Sequence, residues 1–251
     1  MYDLQRASLW KRLSAALFDA ILLSIAAVGI ALLLSTVLGY SQYTEQMETA
    51  KTRLEAEYGL DFDISLEEYE ALPETKKELY DQANEAYGKD PDANRAYSMM
   101  FNLSLIITTF SILAAFLLLE FLVPLLLRNG QTLGKKIFGV GVMRIDGVKL
   151  PPVLLFARTV LGKYTIGTMI PVYVIIMIYF HIMGIFGTVI IGALLLVQMI
   201  LLFGTRNHTA IHDKLSQTVT VDLASQLIFD TPEALLAYKK RIHAEEVKSR
   251  E

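Results

Sequence analysis

The chain has 251 residues, 53% hydrophobic and 20% charged, with a mean hydropathy of +0.42. Soluble chains average about 45–50% apolar and about 25% charged residues, so the composition points to a polytopic membrane protein. A net charge of −3 leaves no basic excess for a nucleic-acid partner, and the lack of cysteine removes disulfides, thiolate metal sites and a cysteine nucleophile.

A membrane span needs about 20 mostly apolar residues. Residues 1–39 hold a polar N-terminus and a first span, the apolar run 13–38, in which Asp19 is the only charge. The run is longer than a signal-peptide core and no small-x-small cleavage site follows it, so the helix is expected to be retained. Residues 40–97 carry fifteen acidic and six basic residues. Ser65-Leu66-Glu67-Glu68 fits a capping box, and Met47, Leu54, Tyr58 and Leu66, Tyr69, Leu72 recur at helical spacing, which predicts a helical insert. Asp90-Pro91-Asp92 reads as a stop and a new helix running into the second span. That span lies within 98–127, with an apolar run 102–127 whose only charge is Glu120.

Residues 128–163 carry seven basic residues and one acidic one. Alternation at Val140, Val142 and Arg144, then Asp146-Gly147, predicts a short strand and a hairpin turn. Residues 217–221 are also strand-like and suited to pair with it. After Pro151-Pro152, residues 153–163 place Arg158 and Lys163 among apolar side chains. They form either an interfacial amphipathic helix or the snorkelling start of span 3. Residues 164–205 contain no charge. As one helix they would reach about 63 Å, so two spans with a break near 181–184 are expected. In the tail, 206–251, Thr231-Pro232-Glu233 opens a last, solvated helix.

The fold class is therefore an all-α membrane protein, a bundle of about four transmembrane helices. It has a helical extracytoplasmic insert and a small cytoplasmic layer that includes a short β-hairpin. Seventeen of the 23 Lys and Arg residues fall outside the acidic insert. The positive-inside rule then puts both termini in the cytoplasm and 40–97 outside, in the cell membrane.

Most site motifs fail on spacing. Gly130-Gln131-Thr132-Leu133-Gly134-Lys135-Lys136 has three residues between its glycines, and a phosphate loop needs four, then Lys and Ser or Thr. Gly139-x-Gly141 lacks a third glycine. Asp61-Phe62-Asp63 begins like a calcium loop but has Leu72 where the Glu belongs. His208, His212 and Asp213 offer too few convergent ligands for a metal, so a structural role is expected. No cofactor is called for, and no Ser-His-Asp, paired catalytic carboxylate or zinc spacing suggests an enzyme. Asp19 and Glu120 are stronger signals, because carboxylates in hydrocarbon are costly and normally have a partner. Arg12 lies two turns from Asp19, at marginal reach, and Arg158 or Lys163 are alternative partners. The pair forms either a polar clamp between helices or a proton- or ion-handling site.

Arg12-Leu13-x-Ala15-x-x-x-Asp19 resembles the opening of the RDD family of bacterial membrane proteins. Gly130-Gln131-Thr132-x-Gly134-Lys135, with Gly139-x-x-Val142-x-x-x-Asp146-Gly147, resembles its central cytoplasmic signature. His212-Asp213-Lys214-Leu215-Ser216-x-Thr218 resembles its closing segment. The resemblance implies that Arg12 and Asp19 lie on the family's first helix. Asp213 is then the second aspartate, with Asp146 the alternative. It also implies a multi-pass membrane protein, either a small secondary transporter or cation/proton exchanger, or a non-catalytic scaffold or regulatory partner. The expected partners are the lipid bilayer, small cations or protons, and a second copy or another membrane protein.

Overall fold

The computed structural model describes residues 5–127, 130–180, 185–204 and 210–248. Among them, three helices are long and apolar enough to cross a membrane: Leu9–Val37 (α1), Pro91–Leu127 (α5) and Pro152–Ile178. The third belongs to a continuous rod, α7, that starts as Pro152–Phe156, passes through a π-helical segment Ala157–Tyr164 and continues as Thr165–Phe180. The expected fourth span is the helix Ile185–Gly204 (α8), whose apolar stretch Gly187–Leu201 is shorter than the other three. The break expected at 181–184 lies outside the described residues, as do Arg128, Thr205, Arg206 and His208.

Two compact units are present: Ala31–Thr108, and the remainder, Met1–Ile30 with Thr109–Glu251. The first contains the acidic insert, which folds as helices α2 (Tyr40–Tyr58), α3 (Leu66–Glu70) and α4 (Glu74–Lys89), followed by the start of α5. Ser65 caps α3 through the expected reciprocal bonds with Glu68. Ala50, Leu54, Tyr80 and Ala83 are its buried side chains on α2 and α4. Tyr80 donates its hydroxyl to the Asp61 carbonyl at 2.8 Å. Leu66, expected on an apolar stripe, is instead 73% exposed. A three-turn stripe does not exist there, because α3 is only five residues long. The Asp90 carboxylate accepts from the backbone of Asp92 and Ala93 at 3.0 and 2.9 Å, so it caps α5, which starts at Pro91 as expected.

In the second unit, α1 turns much of its apolar surface outward. Leu13, Leu17, Ile21 and Ile25 are exposed, and Ala15 is its one buried residue. Such a surface suits lipid rather than water. Both α5 and α7 contain a π segment, Leu117–Leu122 and Ala157–Tyr164, an irregularity that opens the helical ladder and recurs at functional sites. Rather than a separate interfacial helix, residues 153–163 are the first turns of the α7 rod.

A small polar layer follows these helices. The helix Leu133–Ile137 (α6) leads into the strand Val140–Arg144 (β1). Gly147, at φ +90, turns the chain back so that Arg144 N donates to the Val148 carbonyl at 2.9 Å. The helix Ile211–Leu215 (α9) leads into the strand Thr218–Asp222 (β2). β1 and β2 pair antiparallel, from Val140 opposite Asp222 to Arg144 opposite Thr218. Both strands are buried at four of five positions, with Met143, Val219 and Val221 in one core and Val142, Leu150 and Leu155 in another. The last helix, Pro232–Lys248 (α10), packs Tyr238 against Phe229 with ring centroids 5.2 Å apart.

Candidate functional site

The charged residues that interrupt the apolar helices converge on one cavity of about 700 Å³, lined by Arg12, Asp19, Glu120, Lys135, Arg158, Lys163, His212 and Asp213 among apolar side chains.

Asp213 is its most buried acid, at 1% exposure. It sits in the first turn of α9, where its Oδ2 accepts from the backbone of Ala210 at 3.1 Å and so caps the helix. Its Oδ1 accepts from Arg158 Nη2 at 2.6 Å and from the Thr218 hydroxyl at 3.3 Å. Arg12 Nη2 lies 3.7 Å from Oδ2. Burial alone would raise the Asp213 carboxyl, but Arg158, His212, the Ala210 N–H and Arg12 together hold it well below the usual carboxylate range. Beside it, burial drives the His212 imidazole down to about 3 against the pull of Asp213. That ring is therefore neutral at physiological pH, and the 3.7 Å approach of Nε2 to Asp213 is not an ion pair.

Glu120 stands in the π segment of α5, and its carboxylate pairs with the ammonium of Lys163, in the π segment of α7. The Glu120 carbonyl also accepts from the Thr159 hydroxyl at 3.0 Å. The two irregular segments are thus joined by side chain and backbone together.

Asp19 accepts from the Gly134 backbone at 2.8 Å and from the Thr132 hydroxyl. Thr132 caps α6 by accepting from Lys135 N at 3.3 Å. A Cβ on Gly134 would lie 2.4 Å from the Ala15 carbonyl oxygen and 2.9 Å from Asp19 Oδ1, so only glycine lets α6 approach α1 this closely. Gly162 plays the same part between α7 and α9, since a Cβ there would meet His212 Cβ at 2.3 Å. Gln131 donates to the Val140 carbonyl at 2.9 Å and ties the loop to β1.

Lys135 is half-buried. Desolvation and the positive charges of Lys163 and Arg158 lower its ammonium, Glu120 and Asp19 raise it, and the balance is about 7. It is a group able to gain and lose a proton near neutrality.

The expected partnership of Asp19 with Arg12 or Arg158 is corrected. Both arginines serve Asp213, and Asp19 is held by neutral donors. Asp146 and Gly147 are not among the lining residues. Asp146 pairs with Arg144 at 2.7 Å on the surface of the turn, and Asp213, not Asp146, lines the cavity with Asp19. Thr159 and Gln198 have no place in the sequence reading. Gln198, whose Oε1 accepts from Ile211 N at 3.1 Å, carries a signal in hindsight as an amide inside a charge-free run. Thr159 carries none. Within the acidic insert, Glu55, Asp61 and Asp63 also lie close together, and Lys51, 2.6 Å from Asp63 and 3.8 Å from Glu55, offsets part of their charge.

Comparison with curated proteins and with solved structures finds no match. The model of the RDD family matches residues 6–217, a stretch that contains Arg12, Asp19, the 130–135 loop and Asp213. The chain belongs to the RDD family and is an integral membrane protein.

Proposed function

We propose that the chain is a small secondary transporter of the cell membrane, with both termini and the basic segments in the cytoplasm and the acidic insert outside. The observation that carries this reading is the cavity, where Asp19, Glu120 and the neutrally titrating Lys135 share one space beside apolar helices. Ionisable groups in such positions mark ion or proton paths. Cation/proton exchange is the form this reading takes. A cation arriving beside Glu120 or Asp19 raises the local positive charge and drives the proton off Lys135. No covalent chemistry is part of the proposal. The test is reconstitution into liposomes with a trapped pH dye. An added monovalent cation should dissipate an imposed proton gradient, and Lys135→Gln should abolish the effect. No response to any of a panel of cations overturns exchange.

A second reading has its own support. Asp213, Glu120 and Asp19 each already have dedicated partners, which suits a clamp between helices. The protein would then be a scaffold or regulatory partner of a second copy or another membrane protein. Cross-linking in native membranes that captures a stoichiometric partner, with no ion flux in liposomes, favours it.

A further inference from the structure

Hydrogen-bond supply and demand in the cavity do not match. Each acid already has a donor: Asp213, Glu120 and Asp19 receive Arg158, Thr218, Lys163, Thr132 and backbone N–H groups. Not every donor has an acceptor. Arg158 is 3% exposed, yet its Nε has no hydrogen-bond partner among the described residues, and a buried guanidinium N–H left unmade is costly. Lys135 Nζ has no ion pair or hydrogen bond among the described residues. Among the described residues Arg12 reaches only Asp213, at 3.7 Å, too long for a good hydrogen bond. Among the described residues lining the cavity, four are basic (Arg12, Lys135, Arg158 and Lys163) and three are acidic.

A ligand that answers this imbalance brings negative charge and several acceptor oxygens. Most of the remaining wall is apolar, with Trp10, Leu13 and Leu23 of α1 facing Phe116 and Phe203. The ligand must therefore also carry an apolar chain. A volume of about 700 Å³ falls in the usual range of ligand sites, about 300–1,000 Å³.

We propose that the cavity binds the phosphate headgroup of an anionic phospholipid, its oxygens taking the donors of Lys135 and Arg12 and its acyl chain lying along Trp10, Leu13 and Leu23. Basic pockets between membrane helices hold such headgroups in general, and guanidinium matches the phosphoryl oxygens in geometry. The site is independent of whether ions cross the membrane. It serves a transporter as cargo or regulator, and a scaffold as a lipid anchor.

Trp10 is the single tryptophan of the chain and lines the cavity, so the native protein reports on its own site. The purified protein in neutral detergent is titrated with phosphatidylglycerol carrying brominated chains, and in parallel with phosphatidylcholine carrying the same chains. Quenching of Trp10 should saturate at about a tenfold lower mole fraction for the anionic lipid, the size of one charge-assisted hydrogen bond. Lys135→Gln should erase that preference, Lys135→Arg should keep it, and Lys136→Gln should leave it unchanged, because Lys136 is the exposed neighbour outside the cavity. Inorganic phosphate at the same concentration should not relieve the quenching. Equal quenching by the two lipids overturns the site. Equal loss in Lys135→Gln and Lys136→Gln overturns it in favour of surface charge. Relief by inorganic phosphate overturns the lipid in favour of the free anion. The titration of the unmodified chain decides the matter even where a variant does not fold, and liposome flux is a separate readout that these results leave standing.

Discussion

Arg158 and Asp213, 55 residues apart in sequence, meet through Nη2 and Oδ1 at 2.6 Å with side chains only 4% and 2% exposed. The contact joins the π segment of α7 to the first turn of α9, and through Thr218 it reaches β2. It is the fastening between the membrane-type helices and the small polar layer. Arg12 adds a third, weaker contact from α1.

Breaking one side of a buried pair leaves the other charge unpaired, at a cost of about 3–5 kcal/mol. Asp213→Asn and Arg158→Gln should each lower thermal stability in detergent by an amount of that order. The double variant should lose much less than the two losses added. Arg12→Gln should cost clearly less than Arg158→Gln, given its 3.7 Å contact. Additive losses for Arg158 and Asp213 would contradict the pairing.

Asp19 makes a different prediction. It is held by a hydroxyl and a backbone N–H and not by a cation, so Asp19→Asn keeps one acceptor and loses about one hydrogen bond, about 1 kcal/mol. Asp19→Asn combined with Arg12→Gln should be additive in melting experiments. Gly134→Ala should be the more damaging change, about 1–3 kcal/mol, because its Cβ falls on the Ala15 carbonyl.

Lys135 sets a pH window. Its folded-state value of about 7 lies below the ordinary 10.5, so between these limits the unfolded chain holds more protons than the folded one. Stability contributed by this residue therefore rises with pH across that window. A series of melting curves from pH 7 to pH 10 should show the rise in the parent, and Lys135→Gln should flatten it. Asp213 acts with the opposite boundary. Its lowered carboxyl stabilises the fold above about pH 4, and that contribution fades as pH falls further.

Orientation can be read with introduced thiols, since the chain has no cysteine of its own. Glu67→Cys and Lys136→Cys both lie on exposed positions. On intact cells an impermeant thiol reagent should label the first and spare the second until the membrane is permeabilised. The reverse pattern would place the acidic insert in the cytoplasm.

Much was legible without coordinates. Membrane spans are a one-dimensional property, because a helix in lipid satisfies its own backbone and needs only enough apolar residues in a row. The same holds for local signals: the Ser65 capping box, the restart at Asp90-Pro91 and the turn at Asp146-Gly147 each depend on neighbours within a few positions. The isolated acids Asp19 and Glu120 were visible for a related reason, as charges standing out against an apolar run. What only the tertiary structure decided is who partners whom. Arg12 sits near Asp19 in sequence yet turns to Asp213, while Asp19 is taken by Thr132 and Gly134, more than 100 residues away along the chain. The π segments that aim Glu120, Arg158 and Lys163 left no sequence signature. Pairing among buried charges depends on distances of a few ångströms between chain segments, and those distances are set by close approaches such as Gly134 on Ala15 and Gly162 on His212, which no spacing along the chain encodes.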